Sequence, residues 1–264
     1  MAKRRIIDPH HHLWDTRNHL YPWLSGPPFA PSAAGDVGPI SRPYLAEDFL
    51  ADTRDYDVVK TVHVDAGWNP DDLVGETRWL QSVAETYGFP QGIVARAELH
   101  AENVEAILAG HAESPNLRGI RHILNWDPDP NLTFTSRSDV IRDENWRRGY
   151  ALLEKYGLGF DLQVYPWQMH DAAELAGRFP GIPMILNHTG MPLHQHNSGL
   201  DTWRKGMREL AAHEHVSVKI SGLGMVNWHW DTDSVRHMVR ATMEICGVAR
   251  CMFPDKVRVE ARFG

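Results

Sequence analysis

Histidines carry the clearest chemical signal in this sequence. His10 and His12 stand at the end of a short β-rich run that starts at Arg5. In a strand, residues two apart share a face, so these two imidazoles are predicted to point the same way and His11 away. Such a pair can bind a metal ion or hold a polarised water. The alternative is the start of a histidine-rich loop without a chemical role.

A third histidine, His188, follows the apolar run Pro183–Leu186 and precedes a loop that contains Gly190. A buried polar side chain at a strand end requires a partner or a function. One interpretation is a hydrogen-bonded core histidine. The other is a three-histidine site, in which His188 faces one cavity together with His10 and His12.

Other polar residues follow the remaining predicted strands. The ends of these strands carry Asp65, Glu98, Asn125, Lys219 and Ser221. A further group is predicted to bind substrate, with Trp126 in the pocket wall. That group is Arg121, His122, Gln163, Tyr165 and Trp126. An arginine offers a rigid two-pronged donor for carboxylate or hydroxyl groups. Each of these residues can equally be a structural hydrogen-bond partner. No G-x-S-x-G nucleophile motif occurs, which favours an activated water over a covalent intermediate.

Alternating short apolar runs and amphipathic stretches must position these residues. The predicted strands are Arg5–His10, Lys60–Asp65, Gly92–Ala97, Gly119–Leu124, Gly159–Tyr165, Pro183–His188, Ser217–Ser221 and Arg250–Phe253. The predicted helices are Ala46–Tyr56, Asp71–Tyr87, Ala101–His111, Glu144–Tyr156, Met169–Arg178, Leu200–His213 and Asp233–Cys246. Each strand is bounded by Gly, Pro or Asn, as buried parallel strands are.

Eight such repeats predict a single α/β domain over residues 1–264, a (β/α)8 TIM barrel. A doubly wound open sheet is the weaker alternative, since no glycine-rich phosphate loop follows the first strand. The Pro/Gly-rich stretch Tyr21–Pro43 is predicted to be an insertion over the barrel mouth. Only eleven residues follow Phe253, so the C-terminal helix is expected to be truncated.

Composition excludes several classes of protein. The net charge of −7 argues against nucleic acid as a partner. No secretory signal and no apolar run of roughly 20 residues occurs, which argues against export and a membrane. The two cysteines, Cys246 and Cys251, are too few for a disulfide scaffold. These features favour a cytoplasmic protein with a small-molecule substrate.

The strand-end motifs resemble the amidohydrolase superfamily, in particular its branch of sugar-lactone and 2-pyrone-4,6-dicarboxylate lactonases. The similar segments are Asp8-Pro9-His10-His11-His12-Leu13-Trp14, Tyr21-Pro22-Trp23-Leu24, Gly119-Ile120-Arg121, Asp161–Tyr165 and Leu186-Asn187-His188-Thr189-Gly190. The resemblance implies a distorted TIM barrel that opens small cyclic esters with an activated water. It also implies that His10, His12 and His188 bind the substrate carbonyl or a divalent metal. Metal use varies across this branch, and zinc is the expected ion.

The departure from the family lies after the eighth strand, where the family places an aspartate as general base. Here Phe253 is followed by Pro254-Asp255-Lys256, the pattern that a deletion or a reading-frame change would leave. Asp255 is the candidate for a displaced base. The alternatives are a catalytically impaired barrel that binds a small acidic or sugar-like ligand, or a decarboxylase of the same superfamily. An uncovered strip beside the first and eighth strands would favour a homodimer.

Overall fold

The fold is described from a computed structural model in which residues 3, 5–29, 35–193, 197–227 and 229–254 are placed. Eight parallel strands follow one another around a single sheet in chain order. They are β1 (Arg5–His11), β2 (Asp57–Val64), β3 (Gly92–Arg96), β4 (Leu117–Ile123), β5 (Gly159–Gln163), β6 (Met184–Leu186), β7 (Val216–Lys219) and β8 (Cys251–Met252). Every predicted strand overlaps one of these.

The sheet forms a nearly closed barrel with helices between its strands, which confirms the predicted (β/α)8 architecture. The helices are α1 (Ala46–Asp52), α2 (Leu73–Tyr87), α3 (Val104–Ala112), α4 (Glu144–Lys155), α5 (Met169–Arg178), α6 (Asn197–Ala211), α7 (Leu223–Val226) and α8 (Thr232–Cys246). The short helix α7 was not predicted, because four residues are too few to show helical periodicity. None of the helices in the placed ranges has the length and apolarity needed to cross a bilayer.

Two groups of buried side chains hold the barrel and its helices together. The larger group joins strands β3–β7 to the surrounding helices, and it includes Trp146 on α4, Phe160 on β5 and Trp203 on α6. A fully buried Phe160 contributes about 1.5–3 kcal/mol. The strand ends of the site are therefore supported from outside by a continuous apolar layer.

The smaller apolar group includes part of the predicted insertion after β1. Tyr21, Val37 and Ile40 are buried there against α1, α2 and the end of β1. Trp23 on the same segment donates its indole N–H to the Ala66 carbonyl after β2, over 2.7 Å. The placed part of the insertion is thus packed across the carboxyl ends of the strands, where it was expected.

The first strand is the least regular of the eight. Its register with β2 shifts between Ile6 and Ile7 and again between Asp8 and His11, which distorts the barrel locally. The outer face of β1 is open to solvent at Ile7, which is 59% exposed. The expected loss of a final helix concerns residues 255–264, which lie outside the described residues.

Candidate functional site

A cavity of about 1050 Å³ opens at the carboxyl ends of the strands, the position of active sites in this architecture. Its volume slightly exceeds the usual range for ligand sites, about 300–1000 Å³. Polar residues from the ends of β1 to β6 and apolar residues of the insertion line it. The polar lining includes His12, Asp65, Arg96, Glu98, His100, Arg121, His122, Gln163 and His188.

His10 and His12 project from the end of β1 towards each other. Their Nε2 atoms are 3.2 Å apart. The Nδ1 atom of His12 lies 2.7 Å from the Val64 carbonyl oxygen. A carbonyl only accepts, so neutral His12 carries its proton on Nδ1 and has a lone pair on Nε2. The backbone of β2 therefore fixes the tautomer that a metal ligand or a proton acceptor requires.

His11 points to the opposite face of β1, as strand alternation predicts. It is buried beside Phe49, with ring centroids 4.6 Å apart, and beside His63 at 5.5 Å. Burial holds the pKa of His11 well below its usual value, and its electrostatic interaction with His63 lowers the pKa further, because the two rings cannot both be protonated so close together. Burial also lowers the pKa of His63 to about 4. These two histidines are neutral core residues rather than site residues.

His188 reaches the same cluster from the turn after β6. Its ring centroid lies 4.9 Å from that of His10, and its Nδ1 is 3.0 Å from the Ser221 hydroxyl. His188 and Thr189 both have left-handed backbones, with φ of +54° and +56°. Non-glycine residues adopt this conformation at a cost of about 1–3 kcal/mol each, and such strain is frequent at functional sites.

The surroundings of the turn hold His188 in that conformation. Trp203 donates its indole N–H to the Thr189 carbonyl over 2.8 Å. Gly222 packs so closely that a Cβ atom there would lie 2.7 Å from the Cβ of His188. The absence of a side chain at Gly222 thus gives the His188 ring its place beside His10.

Two residues of this histidine cluster, His10 and His12, have the spacing of ligands to a divalent metal ion. Nitrogen ligands about 2.0–2.1 Å from a tetrahedral zinc ion lie about 3.3 Å apart, close to the 3.2 Å between the Nε2 atoms of His10 and His12. The lone pair on His12 Nε2 and the hydrogen bond from its Nδ1 to Val64 match the outer-shell pattern of metal-bound histidines. The donor set is the one that zinc prefers.

A second polar cluster on β3 and β4 lines the same cavity. Glu98, His100 and His122 each place a potential ligand atom within 4.8 Å of the others. Arg96 donates to one Glu98 oxygen from Nη2 at 2.6 Å and from Nε at 3.1 Å. His122 Nε2 lies 3.0 Å from the other oxygen. Its hydrogen bond to Glu98, followed by the Arg96 contact, lowers the pKa of Glu98 to about 2.

Arg121 is held by neighbouring strands rather than extended into the cavity. Its Nε donates to the Asp65 carboxylate over 2.6 Å, and its Nη2 donates to the Asp65 carbonyl. Its Nη1 lies 3.3 Å from the Gln163 side-chain oxygen. Arg121 therefore links the ends of β2, β4 and β5 and balances the charge of Asp65 inside the cavity wall.

The structure brings most, but not all, of the predicted substrate-binding residues to the cavity. Arg121, His122 and Gln163 line it. Tyr165 is buried elsewhere and donates its hydroxyl to the Leu132 carbonyl over 2.7 Å, and Trp126 is not part of the lining either. Asp255, the candidate base, lies outside the described residues.

Glu98 is predicted from the sequence only as a strand-end residue, and His100 and Arg96 are not among the predicted site residues. The signal was present, because Glu98 and His100 are separated by one residue at the end of β3, as His10 and His12 are at the end of β1. The contact between Glu98 and His122 could not be predicted from the sequence, since His122 belongs to another strand.

Comparisons with known proteins agree with this architecture. Residues 7–253 match the amidohydrolase family. The chain is 44% identical over 263 residues to the uncharacterised protein y4mH of Sinorhizobium fredii, covering all of this chain and 88% of that one. It is 26% identical over 258 residues to an L-fucono-1,5-lactonase of Burkholderia multivorans, covering 94% of this chain and 80% of that one.

A solved structure is also similar over nearly the whole chain. It is an amidohydrolase from Burkholderia multivorans with bound zinc, which superposes with a TM-score of 0.77 at 27% sequence identity. The alignment covers 98% of this chain and 85% of that one.

Proposed function

Because this chain belongs to the amidohydrolase family, we propose that it is a hydrolase that opens a small cyclic ester with an activated water. The observation that carries the proposal is the convergence of three histidines from β1 and the turn after β6, with His12 and His188 in the cavity wall and His10 between them. The similarity to an L-fucono-1,5-lactonase supports a lactone as the ester.

The proposed role of His10, His12 and His188 is to bind the lactone carbonyl and to hold a divalent metal, with zinc as the candidate. When bound, such an ion polarises a carbonyl oxygen as a Lewis acid. The Val64 carbonyl keeps the proton of His12 on Nδ1, so the Nε2 atom remains directed at the reacting group. Ser221 and Gly222 hold the His188 ring in place, which pre-organises the site before the substrate arrives.

The proposed general base is Asp255. It would accept a proton from the attacking water, whose oxygen bonds to the carbonyl carbon as the ring C–O bond breaks and the ring oxygen takes up a proton. The product is a hydroxy acid, which releases one proton to solution at neutral pH. The carboxylates of the described cavity wall are less suited to this task. Arg121 engages Asp65, and the pKa of Glu98 is lowered to about 2, first by its hydrogen bond with His122.

The charges of the cavity favour a neutral sugar lactone over a pyrone dicarboxylate. In the described part of the chain, the carboxylates and arginines that line the cavity form three ion pairs. These are Arg121 with Asp65, Arg96 with Glu98 and Arg137 with Asp143. A dicarboxylate would need a second unbalanced positive group besides the proposed metal ion, because desolvating two carboxylates is costly. A polyhydroxylated neutral ring requires only hydrogen-bond partners, which this lining supplies.

The test measures lactone turnover through the protons that are released. The substrates are L-fucono-1,5-lactone and 2-pyrone-4,6-dicarboxylate, and each is assayed with added zinc, with a chelator and with neither. We expect turnover of the neutral lactone and a loss of about 10²–10³-fold in His188→Ala. His170→Ala, at an exposed position on α5, is the matched control and should retain wild-type turnover. A folded wild-type protein that binds the lactone but releases no protons, with or without zinc, would contradict the proposal and support a catalytically silent barrel.

A further inference from the structure

The carboxylate of Glu98 is held rigidly at the cavity wall. Arg96 binds one of its oxygens and His122 the other, and the side chain remains 31% exposed. A carboxylate has about four lone-pair positions, and the three hydrogen bonds from Arg96 and His122 leave room for a further donor. Its open edge can accept a hydrogen bond from a molecule in the cavity.

The tautomer of His122 defines what this cluster can bind. Trp146 directs its indole N–H at His122 Nδ1 over 3.0 Å, and an indole nitrogen can only donate. The Leu99 N–H points at the same atom from 3.4 Å. Nδ1 is therefore an acceptor, and the proton of the neutral ring is on Nε2, where it is donated to Glu98. A protonated Nε2 has no lone pair for a metal ion, although Glu98, His100 and His122 have the spacing of a ligand group.

The same contacts indicate that Glu98 binds a ligand and does not transfer protons. With its pKa lowered to about 2, the carboxylate stays ionised and is a weak base at neutral pH. An ionised carboxylate forms stronger hydrogen bonds to hydroxyl groups than a neutral acceptor does. It also repels a second carboxylate in the same cavity.

We propose that Glu98 accepts hydrogen bonds from ring hydroxyl groups of the substrate and so selects polyhydroxylated lactones over hydroxyl-free ones. This inference rests on the proposed lactone-opening function, and it assigns the substrate class to a residue outside the three-histidine cluster. Trp146 and Arg96 are positioning residues in this scheme, since they orient His122 and Glu98.

The experiment uses two lactams as non-hydrolysable probes with the same ring size. L-fucono-1,5-lactam carries ring hydroxyls and δ-valerolactam carries none. Calorimetric titration measures both affinities in the wild type, in Glu98→Gln and in Glu105→Gln. Glu105 is an exposed carboxylate that pairs with Lys155 on the outside of the barrel. The preference for the hydroxylated lactam should fall about 10–100-fold in Glu98→Gln and stay at the wild-type value in Glu105→Gln.

Other outcomes would overturn the assignment. A wild-type protein without preference, an unchanged ratio in Glu98→Gln, or an equal loss of both affinities would mean that Glu98 is structural. A zinc-dependent rise in melting temperature that His100→Ala abolishes would make the cluster a metal site instead. If Glu98→Gln does not fold, Glu98→Asp keeps the charge beside Arg96 but withdraws it from the cavity, and should show the same loss of preference. Because the lactams are not hydrolysed, absence of lactone turnover would contradict the proposed function without affecting this test.

Discussion

The run His10–His11–His12 presents the same side chain to two different environments within one strand end. His10 and His12 meet at the cavity, with Nε2 atoms 3.2 Å apart. His11 is buried among Phe49, Phe89 and His63 on the other face. The pleat of β1 separates the two environments, because successive side chains point to opposite faces. Histidine type alone therefore says little about chemistry, and the position within the strand says more.

The largest effect is expected when one histidine on each face of β1 is replaced and the two variants are compared. His12→Asn removes the Nε2 lone pair from the cavity, so kcat/KM for the preferred lactone should fall about 10³-fold. His11→Leu fills a similar volume among aromatic neighbours, and swaps that conserve volume disturb a core least. We therefore expect kcat/KM of His11→Leu to stay within about threefold of the wild-type value. Steady-state kinetics on both variants measures the difference. Equal losses of turnover would show that the two faces are not functionally distinct.

A smaller effect is expected from Gly222→Ala, which displaces His188 without removing it. A new Cβ atom would lie 2.7 Å from the Cβ of His188, and the backbone there has φ of +70°. A shift of about 1 Å in a positioning contact can cost up to about 10²-fold in rate, so we expect a loss of 10–100-fold in kcat. Gly157→Ala has a similar φ of +64° with open space around it, and is the control for backbone strain alone. A loss of kcat in both variants would assign the effect to strain.

The core face of the run can be tested through the pH dependence of stability. The pKa of His11 is held below its usual value of 6.5 by burial. Below pH 6.5 the unfolded chain therefore binds a proton that the folded chain does not, and stability falls as the pH falls. His11→Leu should make this loss smaller, by up to about 1.4 kcal/mol per pH unit below pH 6.5. Urea unfolding at pH 7 and pH 5 measures it, and an unchanged slope would mean that His11 is charged in the folded state.

The sequence predicted the framework of the site better than the contacts within it. All eight strands and the opposite orientations of His11 and His12 follow from local periodicity, which a single sequence contains. The binding of Arg121 to Asp65 does not, because the two residues are 56 positions apart and the register of β2 and β4 decides their contact. The role of Glu98 was missed for the same reason, since its partner His122 comes from the next strand.

Tyr165 shows where periodicity fails at a strand end. Gln163 and Tyr165 were both predicted to lie in the strand Gly159–Tyr165 and to bind substrate. The strand β5 ends at Gln163, however, and a short turn at Pro166–Gln168 follows. The chain has left the ladder at Tyr165, so its hydroxyl reaches the Leu132 carbonyl instead of the cavity. A prediction based on alternation holds only as far as the hydrogen-bonded strand extends.

The smallest expected effect concerns Tyr165, which lies in the core and not at the cavity. Tyr165→Phe should lower the free energy of unfolding by about 1 kcal/mol, because the Leu132 carbonyl loses its donor. The KM for the lactone should stay within about twofold, since Tyr165 is buried away from the cavity lining. Tyr150→Phe is the matched control: its hydroxyl is buried without a hydrogen-bond partner in the described part of the chain, so its removal should be neutral or stabilising. A rise in KM for Tyr165→Phe alone would return Tyr165 to the substrate site and show that the chain after β5 moves when the lactone binds.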